Sequence, residues 1–177
     1  MRIIGGRLKG IRLQPPPDLP VRPTTDLAKE ALFNILQHRI SWPETSTLDL
    51  FSGTGNITFE LASRGVIQVT AVDRSPKCCW YIKKEAEKLK LPQVEVVKQD
   101  VLTFIMRCKQ QFDFIFADPP YDLPQLAQLP SLIAAHHLLT PEGLFVLEHP
   151  STKQLNQQPG FIEQRKYGYS SFSFFSW

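Results

Sequence analysis

Asp118-Pro119-Pro120-Tyr121 sets a carboxylate, two conformationally fixed carbonyls and an aromatic ring in succession, directly after the apolar run Phe112-Asp113-Phe114-Ile115-Phe116-Ala117. A run of that length and character reads as a buried strand, so the strand ends on an acid. Prolines cannot donate to a sheet ladder and hold φ near about −65°, so the chain leaves the sheet as a stiff, extended turn. That turn offers acceptors and a stacking face to a planar ring bearing an NH2 group, which is the chemistry of a nucleobase-amine pocket. Taken alone, the same residues also read as a β-α loop in which Asp118 caps the next helix and the prolines only shape the turn.

A second group, Leu48-Asp49-Leu50-Phe51-Ser52-Gly53-Thr54-Gly55-Asn56, lies at the end of another expected strand. Gly53 and Gly55 permit a tight turn and close approach to a ligand, and the helix after them offers backbone N–H groups. In an open α/β sheet, ligands sit beyond the carboxyl ends of the strands, near the point where strand order reverses. Asp49, Asp73, Asp100 and Asp118 all follow or end such strands. Asp73, after Val69-Thr70-Ala71-Val72, suits a ribose diol, and Asp100, after Val94 to Gln99, suits an adenine amino group. A dinucleotide fingerprint would want Gly or Ala where this chain has Thr58, which weakens a pyrophosphate reading.

These residues need a parallel sheet to position them. Short apolar runs alternate with helical patterns from Leu48 onward, the signature of β-α units. Strands are expected at 47–51, 67–72, 93–98, 112–117 and 143–148, with helices at 56–64, 76–90, 101–109 and 124–138. A short helix is expected after Pro150, then strands at 161–167 and 169–177, which their short connection makes antiparallel. Upstream, Gly5-Gly6 and Gly10 punctuate two short runs, suggesting a small hairpin outside the main sheet. A helix begins at Thr25 or Asp26, with Ala28, Ala31, Leu32, Ile35 and Leu36 on its apolar stripe and Lys29, Glu30 and Arg39 on the other face.

The 177 residues, 42% apolar and 21% charged, describe an ordinary globular chain of single-domain size, expected here as one domain over 1–177 with 1–23 a basic extension. Three cysteines, Cys78, Cys79 and Cys108, make neither a disulfide framework nor a metal knuckle. With no signal-peptide pattern at the N-terminus, they point to a reducing, cytoplasmic setting. The uncharged stretch Leu123 to Thr140 contains Pro124 and Pro130, which argue against a membrane span. Net charge is only +3, yet the first 40 residues hold seven Lys/Arg against three acids. Such a cluster suits phosphate contact, and the same residues also read as a solvated basic face. Adjacent His136 and His137 point about 100° apart on a helix, so no metal site is expected from them.

With both motifs in place, the chain resembles the Asp-Pro-Pro-Tyr class of S-adenosylmethionine-dependent amino methyltransferases. It is most similar to the RsmD-type bacterial family, which modifies the exocyclic N2 of a guanine in 16S ribosomal RNA. The resemblance covers nearly the whole chain and is carried by Arg2-Ile3-Ile4-Gly5-Gly6, Arg22-Pro23-Thr24-Thr25-Asp26 with Glu30-Ala31-Leu32-Phe33-Asn34, Asp49 to Gly55, and Asp118 to Tyr121. Leu27 and Lys29 stand where that family often has arginines, and Lys lacks the bidentate fork.

The resemblance implies a Rossmann-like class I methyltransferase fold: a seven-stranded, mostly parallel sheet with an antiparallel C-terminal hairpin, preceded by a small β-hairpin and helix. It implies S-adenosylmethionine as cofactor, held by Thr25, Asp49, Phe51, Ser52, Gly53, Gly55, Asp73, Arg74, Asp100, Val101 and Asp118. Chemistry is assigned to Asp118, Pro119, Pro120 and Tyr121, and RNA contact to Arg2, Arg7, Lys9, Arg12 and Arg22. The partner would be ribosomal RNA or the assembling small subunit, with no metal and no membrane. Competing readings are a DNA adenine-N6 methyltransferase, which shares the Asp-Pro-Pro-Tyr turn, and a catalytically silent RNA-binding or assembly protein. A nicotinamide oxidoreductase is disfavoured by Thr58 and the proline turn.

Overall fold

The computed structural model describes residues 1–21 and 24–177, so Arg22 and its expected RNA contact lie outside the described residues. Five strands, β1 (Ser46–Leu50), β2 (Gln68–Asp73), β3 (Val94–Lys98), β4 (Phe112–Ala117) and β5 (Leu139–Pro150), pair in parallel. Then β6 (Phe161–Tyr167) and β7 (Ser170–Phe175) form an antiparallel pair, and β7 docks antiparallel on β5. The sheet order is β3-β2-β1-β4-β5-β7-β6, a Rossmann-like arrangement whose order reverses between β1 and β4. Ligand crevices of such sheets form at that reversal, beyond the strand ends.

Among the described residues, five α-helices cover the sheet: α1 (Asp26–Leu36), α2 (Asn56–Ser63), α3 (Pro76–Lys88), α4 (Val101–Arg107) and α5 (Leu129–Ala135). Side chains of β4 alternate between the two faces, as period-2 geometry requires. Phe114 and Phe116 pack with α1, α2 and α3 through residues such as Phe33, Leu61 and Ile82, whereas Ile115 and Ala117 meet α4 and α5 through Ile105 and Ile133. Helix starts follow capping chemistry: Thr25, Ser75 and Asp100 accept from the N–H groups of Ala28, Cys78 and Thr103.

Several expectations are corrected. The helix expected at 124–138 is shorter, because Pro130 enters its first turn and His137 turns left-handed (φ 53°) just beyond its end. Among the described residues, no helix follows Pro150. There the Ser151 N–H bonds the Tyr169 carbonyl and Leu155 is buried, so the segment runs as turns beside β7. Residues 1–13 form a loop with a single antiparallel bridge between Arg2 and Arg12 rather than a two-stranded ribbon, since Gly6 (φ 76°) and Gly10 (φ 92°) take the chain out of extended geometry.

The largest correction concerns Lys29, expected on the solvent face of α1 and found fully buried. Its Nζ donates to Asn56 Oδ1 at 2.7 Å and to the Arg2 carbonyl at 2.5 Å, and pairs with Glu60 at 3.3 Å. Glu60 in turn accepts from the backbone N–H groups of Ile4 and Gly5 and pairs with Arg64. Burial of a charge is tolerated when it is paired and hydrogen-bonded, and these contacts clamp the N-terminal loop onto α1 and α2.

Candidate active site

The carboxyl ends of β1, β2, β4 and β5 converge on a cavity of about 590 Å³, within the ordinary range for small-molecule sites. Its floor is the loop from Phe51 to Gly55. Phe51, Gly53 and Gly55 all have positive φ (60°, 54° and 80°), so the chain curls back on itself before α2. A side chain at Gly55 would place Cβ 2.7 Å from the Phe59 ring, which makes glycine necessary there for packing as well as for φ.

Two carboxylates hold this loop and the helix that follows it. Asp73 Oδ2 accepts the Gly53 N–H and Asp73 Oδ1 the Ser75 N–H, both at 2.9 Å. Asp49 Oδ2 accepts the Thr58 hydroxyl at 2.6 Å. Burial pushes the Asp49 carboxyl up to about 7, with the neighbouring Asp73 charge adding and the Thr58 bond opposing. Thr58, which as a motif letter only weakened a dinucleotide reading, is thus the residue that orients Asp49. Beyond β3, Asp100 caps α4 through Oδ2, at 3.0 Å from Thr103 N, and with Val101 lines the cavity beside exposed Arg74.

The proline turn lines the same cavity. The Asp118 N–H completes the β1 ladder at the Leu50 carbonyl, which fixes where the turn begins. Pro119 is buried and Pro120 exposed, and the Pro120 carbonyl accepts the Leu123 N–H at 3.0 Å. The Tyr121 hydroxyl is 2.6 Å from Ser170 Oγ at the start of β7, so the ring of the turn is tethered to the C-terminal strand pair. Asp118 and Tyr121 are half-buried, and all four residues of the turn line the cavity.

Of the expected cofactor contacts, Asp49, Phe51, Ser52, Gly53, Asp73, Arg74, Asp100, Val101 and Asp118 line the cavity, with Gly55 shaping its loop. Thr25 does not. Its hydroxyl caps α1, and its buried neighbour Thr24 faces the cavity instead. The sequence reading also missed Asn56 and Glu148. Asn56 Nδ2 donates to the Thr24 carbonyl, and Thr24 Oγ1 donates to Glu148 Oε2 at 2.9 Å. Glu148 sits at the carboxyl end of β5, so the rule that singled out four aspartates would have found it too. Arg2, Arg7, Lys9 and Arg12 are exposed, while Ile3, Leu8 and Leu13 between them are buried in the core. Among the described residues, no three His, Cys, Asp or Glu side chains group as metal ligands would.

Residues 1–176 match the family described as Conserved hypothetical protein 95. A curated relative, ribosomal RNA small subunit methyltransferase D of Haemophilus influenzae, is 34% identical over 159 residues, covering 88% of this chain and 81% of that protein. A hypothetical protein of Thermus thermophilus superposes with a TM-score of 0.87 at 30% identity, covering 100% of this chain and 99% of the other. The 16S rRNA N2 methyltransferase RsmC of the same organism, solved with AdoMet and guanosine, shares the fold at a TM-score of 0.72 and 23% identity, over 90% of this chain and 45% of that one.

Proposed function

Since the chain belongs to the ribosomal RNA small subunit methyltransferase D family, we propose that it transfers a methyl group from S-adenosylmethionine to the exocyclic N2 of a guanine in small-subunit ribosomal RNA. One observation carries this reading: the proline turn and the glycine loop, 63 residues apart from Gly55 to Asp118, open into one cavity at the reversal of the sheet. The cytoplasm, where such RNA is assembled, is its setting.

The cavity suits that cofactor on several counts. Among the described residues six carboxyl groups line it, those of Asp49, Asp73, Asp100, Asp118, Asp122 and Glu148, and although burial keeps Asp49 partly protonated near neutral pH, such an acidic lining favours a cationic ligand. Asp73, already oriented by two backbone N–H groups, is a preset acceptor for a ribose diol, and a carboxylate has about four acceptor positions in all. Asp100 and Val101 are placed for the adenine ring, and the loop from Ser52 to Gly55 for the amino-acid end. When bound there, S-adenosylmethionine supplies a methyl group activated on a sulfonium.

The protein's task is then positioning and exclusion of water rather than covalent catalysis. Asp118 and the Pro119 carbonyl accept from the protons of the base amine and aim its lone pair at the methyl. Asp118 also stabilises the positive charge that grows on nitrogen. Tyr121, held by Ser170, stacks on the base. Arg2, Arg7, Lys9 and Arg12, all exposed, supply RNA affinity. A base must leave its stack to reach the turn, at about a few kcal/mol that these contacts offset.

Mass spectrometry of nucleosides from small-subunit RNA incubated with the protein and S-adenosylmethionine is the test. N2-methylguanosine supports the reading. N6-methyladenosine would favour the adenine alternative, and no methylation of free or assembling RNA would leave a silent RNA-binding protein.

A further inference from the structure

We infer that Glu148 is a specificity-determining residue of this site: its carboxylate reads the N1–H of the target guanine while Asp118 takes the exocyclic amine. The inference rests on the guanine-N2 reading above. β4 and β5 are neighbours in parallel register with Ala117 opposite Leu147, so the next residues, Asp118 and Glu148, come side by side, Asp118 where β4 ends and Glu148 where β5 continues in pairing with Phe172 of β7. Both line the cavity, and Glu148 is only 4% exposed. Thr24 Oγ1 lies between them, donating to Glu148 Oε2 at 2.9 Å and standing 3.5 Å from Asp118 Oδ2. That hydroxyl is itself held in place, because the Thr24 carbonyl accepts from Asn56, whose side-chain oxygen takes the buried Lys29 ammonium.

A bridged pair of acids on one wall has a natural complement. The Watson–Crick edge of guanine carries N1–H and N2–H2 as adjacent donors, whereas adenine presents a lone pair at N1. An N1 lone pair facing a buried carboxylate leaves two acceptors opposed with no proton between them, out of reach of water. A site built around a donor rejects an analogue lacking it far more strongly than a site built on shape alone. Glu148 would therefore admit guanine and turn away bases with an acceptor at N1, whatever their amine.

The test uses 2-aminopurine, which keeps the 2-amine but has an acceptor at N1. Two synthetic RNAs are compared in single-turnover methylation, one with the guanine that the wild-type protein modifies and one with 2-aminopurine at that position. Wild-type protein should prefer guanine by on the order of 100-fold or more. Glu148→Gln can turn its amide NH2 toward N1, so its guanine rate should fall about 10-fold while the preference shrinks to roughly 10-fold or less. A circular dichroism spectrum and a thermal unfolding midpoint close to those of wild type check that the variant is folded. Equal wild-type rates on both RNAs overturn the inference without any variant, and so does a Glu148→Gln preference unchanged from wild type. Absence of guanine methylation by the wild-type protein is a separate result, which removes the guanine-N2 reading and the role of Glu148 with it.

Discussion

Gly53 and Asp73 are joined by a 2.9 Å hydrogen bond from the loop N–H to the carboxylate, so the end of β2 and the floor of the cavity form one unit. A second bond, from the Ser75 N–H, fixes the other carboxylate oxygen. Acceptor geometry for a ligand is thereby set before any ligand arrives, which lowers the ordering cost of binding.

Removing that carboxylate should weaken cofactor binding more than RNA binding. Asp73→Ala is expected to lose ~1–3 kcal/mol of affinity for S-adenosylhomocysteine, because the diol has no acceptor and the loop is loosened. Titration calorimetry measures it, and an unchanged dissociation constant would take Asp73 out of the site.

Asp118 acts in the proposed mechanism only while the methyl group is in flight, so its loss should appear in rate. Asp118→Ala should bind cofactor and RNA but lose ~10²–10³-fold in turnover. Asp118→Asn, which keeps one acceptor oxygen and the shape, should retain part of the rate. Full single-turnover activity in Asp118→Ala would reduce the turn to architecture.

Asp49 predicts a pH dependence of stability. Its carboxyl is raised by burial from 3.8 to about 7, so between those values the folded state holds a proton that the unfolded state has released. Stability from this group is therefore complete below pH ~3.8, falls as pH rises through that window and is lost above about 7, by a few kcal/mol at most. Asp49→Asn keeps a neutral partner for Thr58 and should flatten this part of the profile, gaining on wild type most clearly at pH 8. Parallel urea melts from pH 5 to 8 decide it, and identical slopes would contradict it.

The buried ammonium of Lys29 should matter to the fold rather than to phosphate binding. Lys29→Ala takes the cation from Asn56 Oδ1 and Glu60 Oε2 while Arg64 stays on Glu60 Oε1, and is expected to destabilise by up to about 3–5 kcal/mol. Hydrogen exchange should show residues 1–13 losing protection first, because Glu60 holds them through Ile4 and Gly5.

Deleting residues 1–12 would remove Ile3 and Leu8 from the core, so the basic segment is better tested by charge alone. Replacing Arg2, Arg7, Lys9 and Arg12 by Gln should leave cofactor affinity intact. It should also flatten the dependence of RNA affinity on salt, by up to about 0.7–0.9 in log–log slope for each phosphate that is no longer neutralised. An unaltered slope would move the RNA surface elsewhere, with Lys83, Lys84 and Lys88 of α3 the next candidates.

Strand placement was readable from the chain because apolar runs such as Phe112 to Ala117 are short and bounded by turn residues, and because carboxylates at strand ends mark the crevice of a parallel sheet. Lys29 was not readable. Helical spacing put it with Glu30 and Arg39, whereas the partners that make its burial tolerable, Glu60 and Asn56 of α2 and the Arg2 carbonyl, are distant in sequence. Thr25 and Asp26 were both open as the start of α1 from the chain alone; the structure makes Thr25 the cap and turns its neighbour Thr24 toward the cavity. The pairing of Thr24 with Glu148 spans 124 residues, beyond any local pattern.

The place of β7 between β5 and β6 bears on how the protein is born. A ribosome releases β6 before β7, yet β6 has no neighbour in the sheet until β7 arrives and pairs with it on one side and with β5 on the other. Ser170, the tether of Tyr121, comes with that same late strand. A nascent chain that has already made its glycine loop and proline turn therefore still lacks an anchored Tyr121 ring, and that wall of the cavity is finished only when β7 slots into the gap.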